Sequence, residues 1–219
     1  MSLNVSMWSK VAIAIQSALA TAVAITAISK ASPAVVSYTD AGSSDPTAGD
    51  FLLLTVQGMH QLDGRVFRAG TVDTGANTVQ LESEDSTLYD TFSSGTFEKI
   101  TFGTTLAATL GLSSSGGDFK MEDVTTIHDD RDIQVPGNAN ATSYTLDNIW
   151  DVADAGLVAL KYASDNKLKR AIKITFANAQ KTLFTGYIAA KLLPGGSAPG
   201  KVTTPAVITM FGSPTHYST

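Results

Sequence analysis

The densest gathering of reactive side chains in this 219-residue chain is His128-Asp129-Asp130-Arg131-Asp132. One imidazole and three carboxylates could in principle hold a hard cation, because such ions take oxygen ligands. The run lacks the glycine and the terminal glutamate of a calcium loop, and Arg131 neutralises part of its charge. It reads as a solvated or interface loop. His60 and Asp63 stand together in "GMHQLDG", yet no G-x-S-x-G elbow and no triad order accompany them. His60, His128 and His216 are far apart, and none has a partner at metal-ligand spacing. The glycine loops "SSSGGD" and "PGGSAPG" match neither the phosphate-binding nor the dinucleotide pattern. With no cysteine in the chain, thiol nucleophiles, disulfide scaffolds and Cys-ligated zinc are excluded. No enzyme signature survives, and no cofactor or metal is implied.

A chain without reactive chemistry has to be read through its surfaces. The composition is 43% hydrophobic and 16% charged, which fits a folded globular protein. The net charge of −5 hides an asymmetry. Residues 1–160 carry 19 acids against 7 bases, net −12, whereas residues 161–219 carry 8 bases against Asp165 alone, net +7. Unlike poles of this kind are either an ordinary solvated face or a means for copies to attract one another head to tail. Nucleic-acid recognition by the C-terminal strands would need exposed aromatics. Tyr162, Phe176, Phe184 and Tyr187 read instead as core or half-core residues of a sheet.

The elements that must position these residues are mostly strands. "KVAIAIQSALATAVAITAI" imitates a secretory signal with a cleavage site; as a membrane span it is interrupted by Gln16, Ser17, Thr21 and Thr26. A strand with Val11, Ile13 and Ile15 on one face fits it equally well. From Ser32 to Gly103, short strands alternate with turns such as Leu62–Gly64 and "DTGAN". That spacing describes a small all-β unit. Within it, "DGRVF" and "GANTVQLE" resemble a compact β-module that recurs as an insertion in phage structural proteins.

Gly116 and Gly117 mark a boundary, after which "DFKMEDVTTI" reads as a strand and "HDDRDIQVPGNANAT" as a long loop or extended hairpin. "DVADAGLVALKYASDN" predicts a helix with Asp151 as N-cap, Asp154 in the first turn and Asn166 as the stop. Ala153, Leu157 and Leu160 would share its buried face, and Gly156 would mark close packing on a sheet. "KRAIKITFANAQKTLFTGYIAAKLL" is a hairpin turning at Ala177 to Gln180, with Ile172, Ile174 and Phe176 buried and the Lys173 and Thr175 face wet. Pro205 demotes its strand locally to an edge or bulge site.

The order strand, long polar loop, strand, helix, hairpin, Gly/Pro loop and final strand resembles the major tail tube proteins of long-tailed, lambda-like bacteriophages. The likeness is carried by "DVTTIHDDRDIQVPG", "SYTLDNIWDVADAGLVALKYASDN", "AIKITFANAQKTLFTGYIAAK" and "KVTTPAVITMFGSPT", plus the strand around Lys10 to Leu19. The resemblance implies a mainly β fold, a sandwich of two packed sheets flanked by one α-helix, with a small all-β insertion. It divides the chain into a tail-tube domain, residues 1–32 and 103–219, and an insert, residues 33–102, placed on the tube's outer surface. It makes the N-terminal segment core strand in place of a cleaved signal.

The function it implies is a structural subunit of stacked hexameric rings, a hollow tube passing DNA into the host without binding it specifically. Partners would be further copies of the chain, a tape measure protein, a tail terminator and baseplate proteins, in a virion tail assembled in the bacterial cytoplasm, with no membrane partner. Thr125 to Ala141 would be the loop that reaches the adjacent ring, with Thr126, His128, Asp129, Asp130, Arg131, Asp132 and Gln134 as its contact residues. Lys169, Arg170, Lys173, Lys181, Lys191 and Lys201 would form a basic face between subunits. A tail terminator or head–tail connector ring, or a secreted β-rich binding protein, are the competing readings.

Overall fold

Two hydrophobic alternations, one on each side of Gln16, send the N-terminal segment into two different sheets of the computed structural model, which describes residues 8–40 and 42–218. Residues 1–7, Ala41 and Thr219 lie outside it, and with them the outer ends of the division at 1–32 and 103–219. The first half of the chain runs through β1 (Ala12–Ile15), β2 (Ala18–Leu19), β3 (Val23–Ile28), β4 (Val35–Tyr38), β5 (Phe51–Gln57), β6 (Val66–Asp73), β7 (Thr78–Leu81) and β8 (Ser94–Thr101). Then follow β9 (Thr104–Thr105), β10 (Thr109–Ser115), β11 (Phe119–Asp123), β12 (Gln134–Ala139), β13 (Ser143–Ile149), α1 (Ala155–Asp165), β14 (Lys169–Thr175), β15 (Lys181–Ala189) and β16 (Thr203–Tyr217). The fold is mainly β, with packed sheets and α1 as the single α-helix among the described residues.

One sheet has the order β10-β13-β16-β15-β14-β1-β9 and forms the body of the molecule. One side holds Ile13, Ile15, Leu146, Ile172, Ile174, Phe184 and Ile208, against which α1 lays Leu157, Leu160 and Ala163. Gly156 is buried where α1 meets the chain after β9, since an added Cβ would lie 2.6 Å from Leu106 and 2.9 Å from the Thr105 carbonyl. Asp154, not Asp151, caps the helix: its carboxylate accepts from the Leu157 N–H at 2.8 Å. Asp151 instead accepts from the Ala153 N–H in the preceding turn, which leaves Ala153 outside the helix and exposed. Pro205 lies within β16 opposite Asp147. The missing N–H is harmless there because β15 has already ended at the pair Ala189↔Val207, so that side of β16 is a local edge.

The other strands close on themselves. β8, β3, β4, β7, β6 and β5 pair in that order, and β5 pairs back to β8, giving a six-stranded barrel with β2 paired to the end of β8. Leu52, Leu54, Met59, Leu62, Phe67, Val79, Leu81 and Phe97 fill it. The sequence division at residue 32 groups β3 with the body, but β3 is the strand that bridges β8 and β4. Val23 and Ile25 alternate into the barrel core, and the register shift between Ile25 and Ala27 turns Ile28 in as well, so closure itself recruits residues 18–28.

The seam between body and barrel covers a surface the sequence leaves wet. Ala171 and Leu183, on the Lys173 face of the β14–β15 hairpin, pack with Leu53, Val66, Ile100 and Tyr217. Lys173 lies over the rings of Phe51 and Phe102, 5.1 and 4.9 Å from their centroids. Burial, reinforced by Lys181, lowers the pKa of this ammonium. Three hydroxyls complete the seam: Thr185 donates to the Gly64 carbonyl, Thr215 to the Val66 carbonyl, and Tyr217 accepts from the Arg68 N–H.

Candidate assembly site

The pair β10–β13 does not end at the body. At Gly116 the backbone takes φ +86°, and an added Cβ would sit 2.3 Å from the Ala141 carbonyl, so the chain can leave the sheet only through a glycine. Beyond this root, β11 and β12 form a separate two-stranded sheet, residues 119–139, that stands as an arm. Its register pairs Met121 with Pro136, Glu122 with Val135 and Asp123 with Gln134. Directly opposed residues share a face, so Met121 and Pro136 lie on one side of the ribbon and Glu122 and Val135 on the other.

The tip is ordered by its own polar groups. Thr126 donates its N–H and its hydroxyl to the Asp129 carboxylate, both at 2.8 Å. The Thr125 N–H donates to Asp123, while the Thr125 hydroxyl accepts from the Ile133 N–H. These donated hydrogen bonds hold the Asp129 and Asp123 carboxyls below the usual carboxylate range, so both stay charged in mild acid. Of the seven loop residues read from sequence, Thr126, His128, Asp129, Asp130, Arg131 and Asp132 gather at this tip, and Gln134 sits in β12. Among the described residues no group of three or more His, Cys, Asp or Glu is arranged to hold a metal.

Apolar side chains line the arm without cover. Ile127 is 96% exposed, Phe119 62% and Met121 53%, with Val124, Ile133 and Val135 also exposed. A lone two-stranded ribbon is marginal in water, and this one displays an extended apolar surface.

The six basic residues do not form one face. Lys169 lies 4.1 Å over the Phe211 ring, Lys173 lies in the seam and Lys181 donates to the Ala179 carbonyl at 3.3 Å, while Arg170 alternates to the opposite side of β14. Lys191 pairs with Asp165 at 3.2 Å, and Lys201 sits in the loop before β16. Phe184 is buried and Phe176 half-buried, as read from sequence, but Tyr162 and Tyr187 are 59% and 50% exposed. The signal for Tyr162 was present: with Val158 it forms an apolar pair four residues apart, opposite the Leu157 and Leu160 stripe.

Residues 57–219 match the family model described as phage tail tube protein, TTP. The match takes in the arm, α1, all of the body sheet except β1, and β6 to β8 of the barrel. Comparison with curated proteins gives no match. Among the described residues no helix is long and apolar enough to cross a membrane. The chain belongs to the phage tail tube protein family, and its role is structural, in the tail.

Proposed function

We propose that this tail tube protein assembles as hexameric rings stacked into a hollow tube, and that the arm of each subunit reaches into the neighbouring ring. The arm carries the reading: it has backbone order, an apolar surface and a root glycine, yet its strands pair only with each other among the described residues. Two further features support it. β10 pairs only with β13 and β9 only with β1 among the described residues, leaving the body sheet two free edges that lateral neighbours can complete. An acidic chain also suits a conduit, since a wall that passes DNA should repel phosphates.

In this reading the chain is a structural subunit and performs no catalysis. The segment 33–102, completed by β2 and β3, sits on the outer surface of the tube, clear of the stacking faces. The tube encloses a tape measure protein during assembly in the host cytoplasm, and a terminator and baseplate proteins close its ends. DNA passes without specific binding. Electron microscopy of the concentrated protein tests this. Hollow tubes with sixfold end-on views are expected, and a protein that stays monomeric and is missing from isolated tails would overturn it.

A further inference from the structure

Charge is divided by region as well as by sequence half. The barrel segment, residues 18–102, carries ten acids and four bases, net −6. The arm, residues 118–139, carries six acids and two bases, net −4. The remaining residues, which make the body, carry four acids and nine bases, net +5. An acidic arm is repelled by the barrel of any copy and attracted to the body.

Part of the body's surface is bare, apolar and of matching character. Val158 and Tyr162 project from the outer side of α1, and Trp150, Leu193 and Val202 are exposed beside it. Hydrogen bonds tie these segments together: Trp150 donates its N–H to the Val202 carbonyl at 3.0 Å and its indole Nε1–H to the Leu192 carbonyl at 2.8 Å. The Ala190 N–H donates to Ser164 on α1 at 3.1 Å. Lys161 and Lys191 flank the surface, two cations sharing the single carboxylate of Asp165, and Lys201 lies on the adjoining loop. Asp151 and Asp154 stand at the N-terminal end of α1, so the positive excess lies at its C-terminal end. There Lys161 and Lys191 against Asp165 border exposed Tyr162 and suit an apolar, acidic partner.

We propose that this surface of one subunit receives the arm of a second copy. The Met121 and Pro136 face of the ribbon covers Tyr162, Val158 and Trp150, while the aspartates of the tip meet Lys161, Lys191 and Lys201. Phosphate-bearing partners are disfavoured, because the arm would be repelled by a nucleic acid or an anionic lipid surface. The inference rests on the tube reading and names where its stacking contact falls.

The chain is free of cysteine, so introduced thiols report without background. Tagged Met121→Cys is mixed with untagged Tyr162→Cys under assembling conditions and oxidised mildly. Leu88→Cys, 94% exposed on the barrel, replaces Tyr162→Cys as control. The Met121–Tyr162 heterodimer is expected to exceed the Met121–Leu88 product by about tenfold. In parallel, Lys161→Glu with Lys191→Glu should raise the concentration needed for assembly by about tenfold, and Asp130→Lys with Asp132→Lys on the arm should restore it. Tubes that form with equal or no cross-linking to Tyr162, or that ignore the charge reversal, overturn this inference and leave the tube reading standing. Failure of the wild-type chain to associate at all overturns both.

Discussion

The barrel of residues 18–101 and the arm of residues 119–139 are both made of antiparallel strands, and they differ in what satisfies them. In the barrel, pairing runs round to its start, apolar residues fill the interior, and a buried ion pair finds its partners internally, with Arg65 Nε alone of its donor atoms unpartnered among the described residues. Arg65 binds both oxygens of Glu84 at 2.6 and 3.1 Å, donates also to the Gln61 carbonyl, and Glu84 accepts from the Tyr89 hydroxyl. In the arm, each strand has one partner, and the side chains that would form a core face outward. The barrel is finished as a monomer. The arm has local order sufficient to hold its shape and too little packing to justify it alone, which is what an element completed by a neighbour requires.

This contrast is broken most forcefully in the barrel. Phe67→Ala removes a fully buried ring and should cost about 3–5 kcal/mol in denaturant unfolding. Arg65→Ala leaves the Glu84 carboxylate buried without its cation, and the loss should again be roughly 3–5 kcal/mol. At the seam, Gly64 has φ +66° and a Cβ there would lie 2.3 Å from the Phe211 ring. Gly64→Ala should therefore cost more than about 1 kcal/mol and loosen the body against the barrel, visible as a split unfolding transition.

A smaller effect follows from Glu82, whose carboxyl is held below its ordinary range first by hydrogen bonds from Arg68. The stability this adds is fully present above the ordinary glutamate range and fades as pH falls through the depressed value. Glu82→Gln should remove that part of the acid sensitivity in urea midpoints measured against pH. Met121→Ser on the arm should change monomer stability by less than about 0.5 kcal/mol while weakening association, the smallest folding effect and the most informative one.

The sequence made the strands legible because alternation is local: Ile172 and Ile174 face the core as their spacing requires, and the hairpin turns at Ala177 to Gln180. It also marked the arm, through a strand at "DFKMEDVTTI", of which Phe119–Asp123 pair while Val124 to Ile127 belong to the tip, and through two root glycines. Long-range closure was out of reach. That β3 completes a barrel depends on pairing to Phe97 and Tyr38, which no local pattern records. The face of Lys173 read as wet because a lysine marks solvent unless aromatic rings from another sheet lie across it. Asp151 and Asp154 are equal N-cap candidates by residue type, and only the turn bonded through Asp151 decides between them. Tyr162 read as core because sheet aromatics usually are, yet α1 turns it outward.

The central claim is that the arm joins copies and contributes little to the fold of one. The root makes a clean deletion possible: Gly117 donates to the Asn140 carbonyl and Asn140 to the Asp118 carbonyl, so residues 119–139 can be removed with Asp118 joined to Asn140. Electron microscopy of full-length and deleted proteins at equal high concentration, with matched thermal unfolding, tests the claim most directly. The account predicts tubes or stacked rings from the full-length chain only, with the unfolding temperature of the monomer nearly unchanged. Tubes from both would place the stacking contact elsewhere and contradict it.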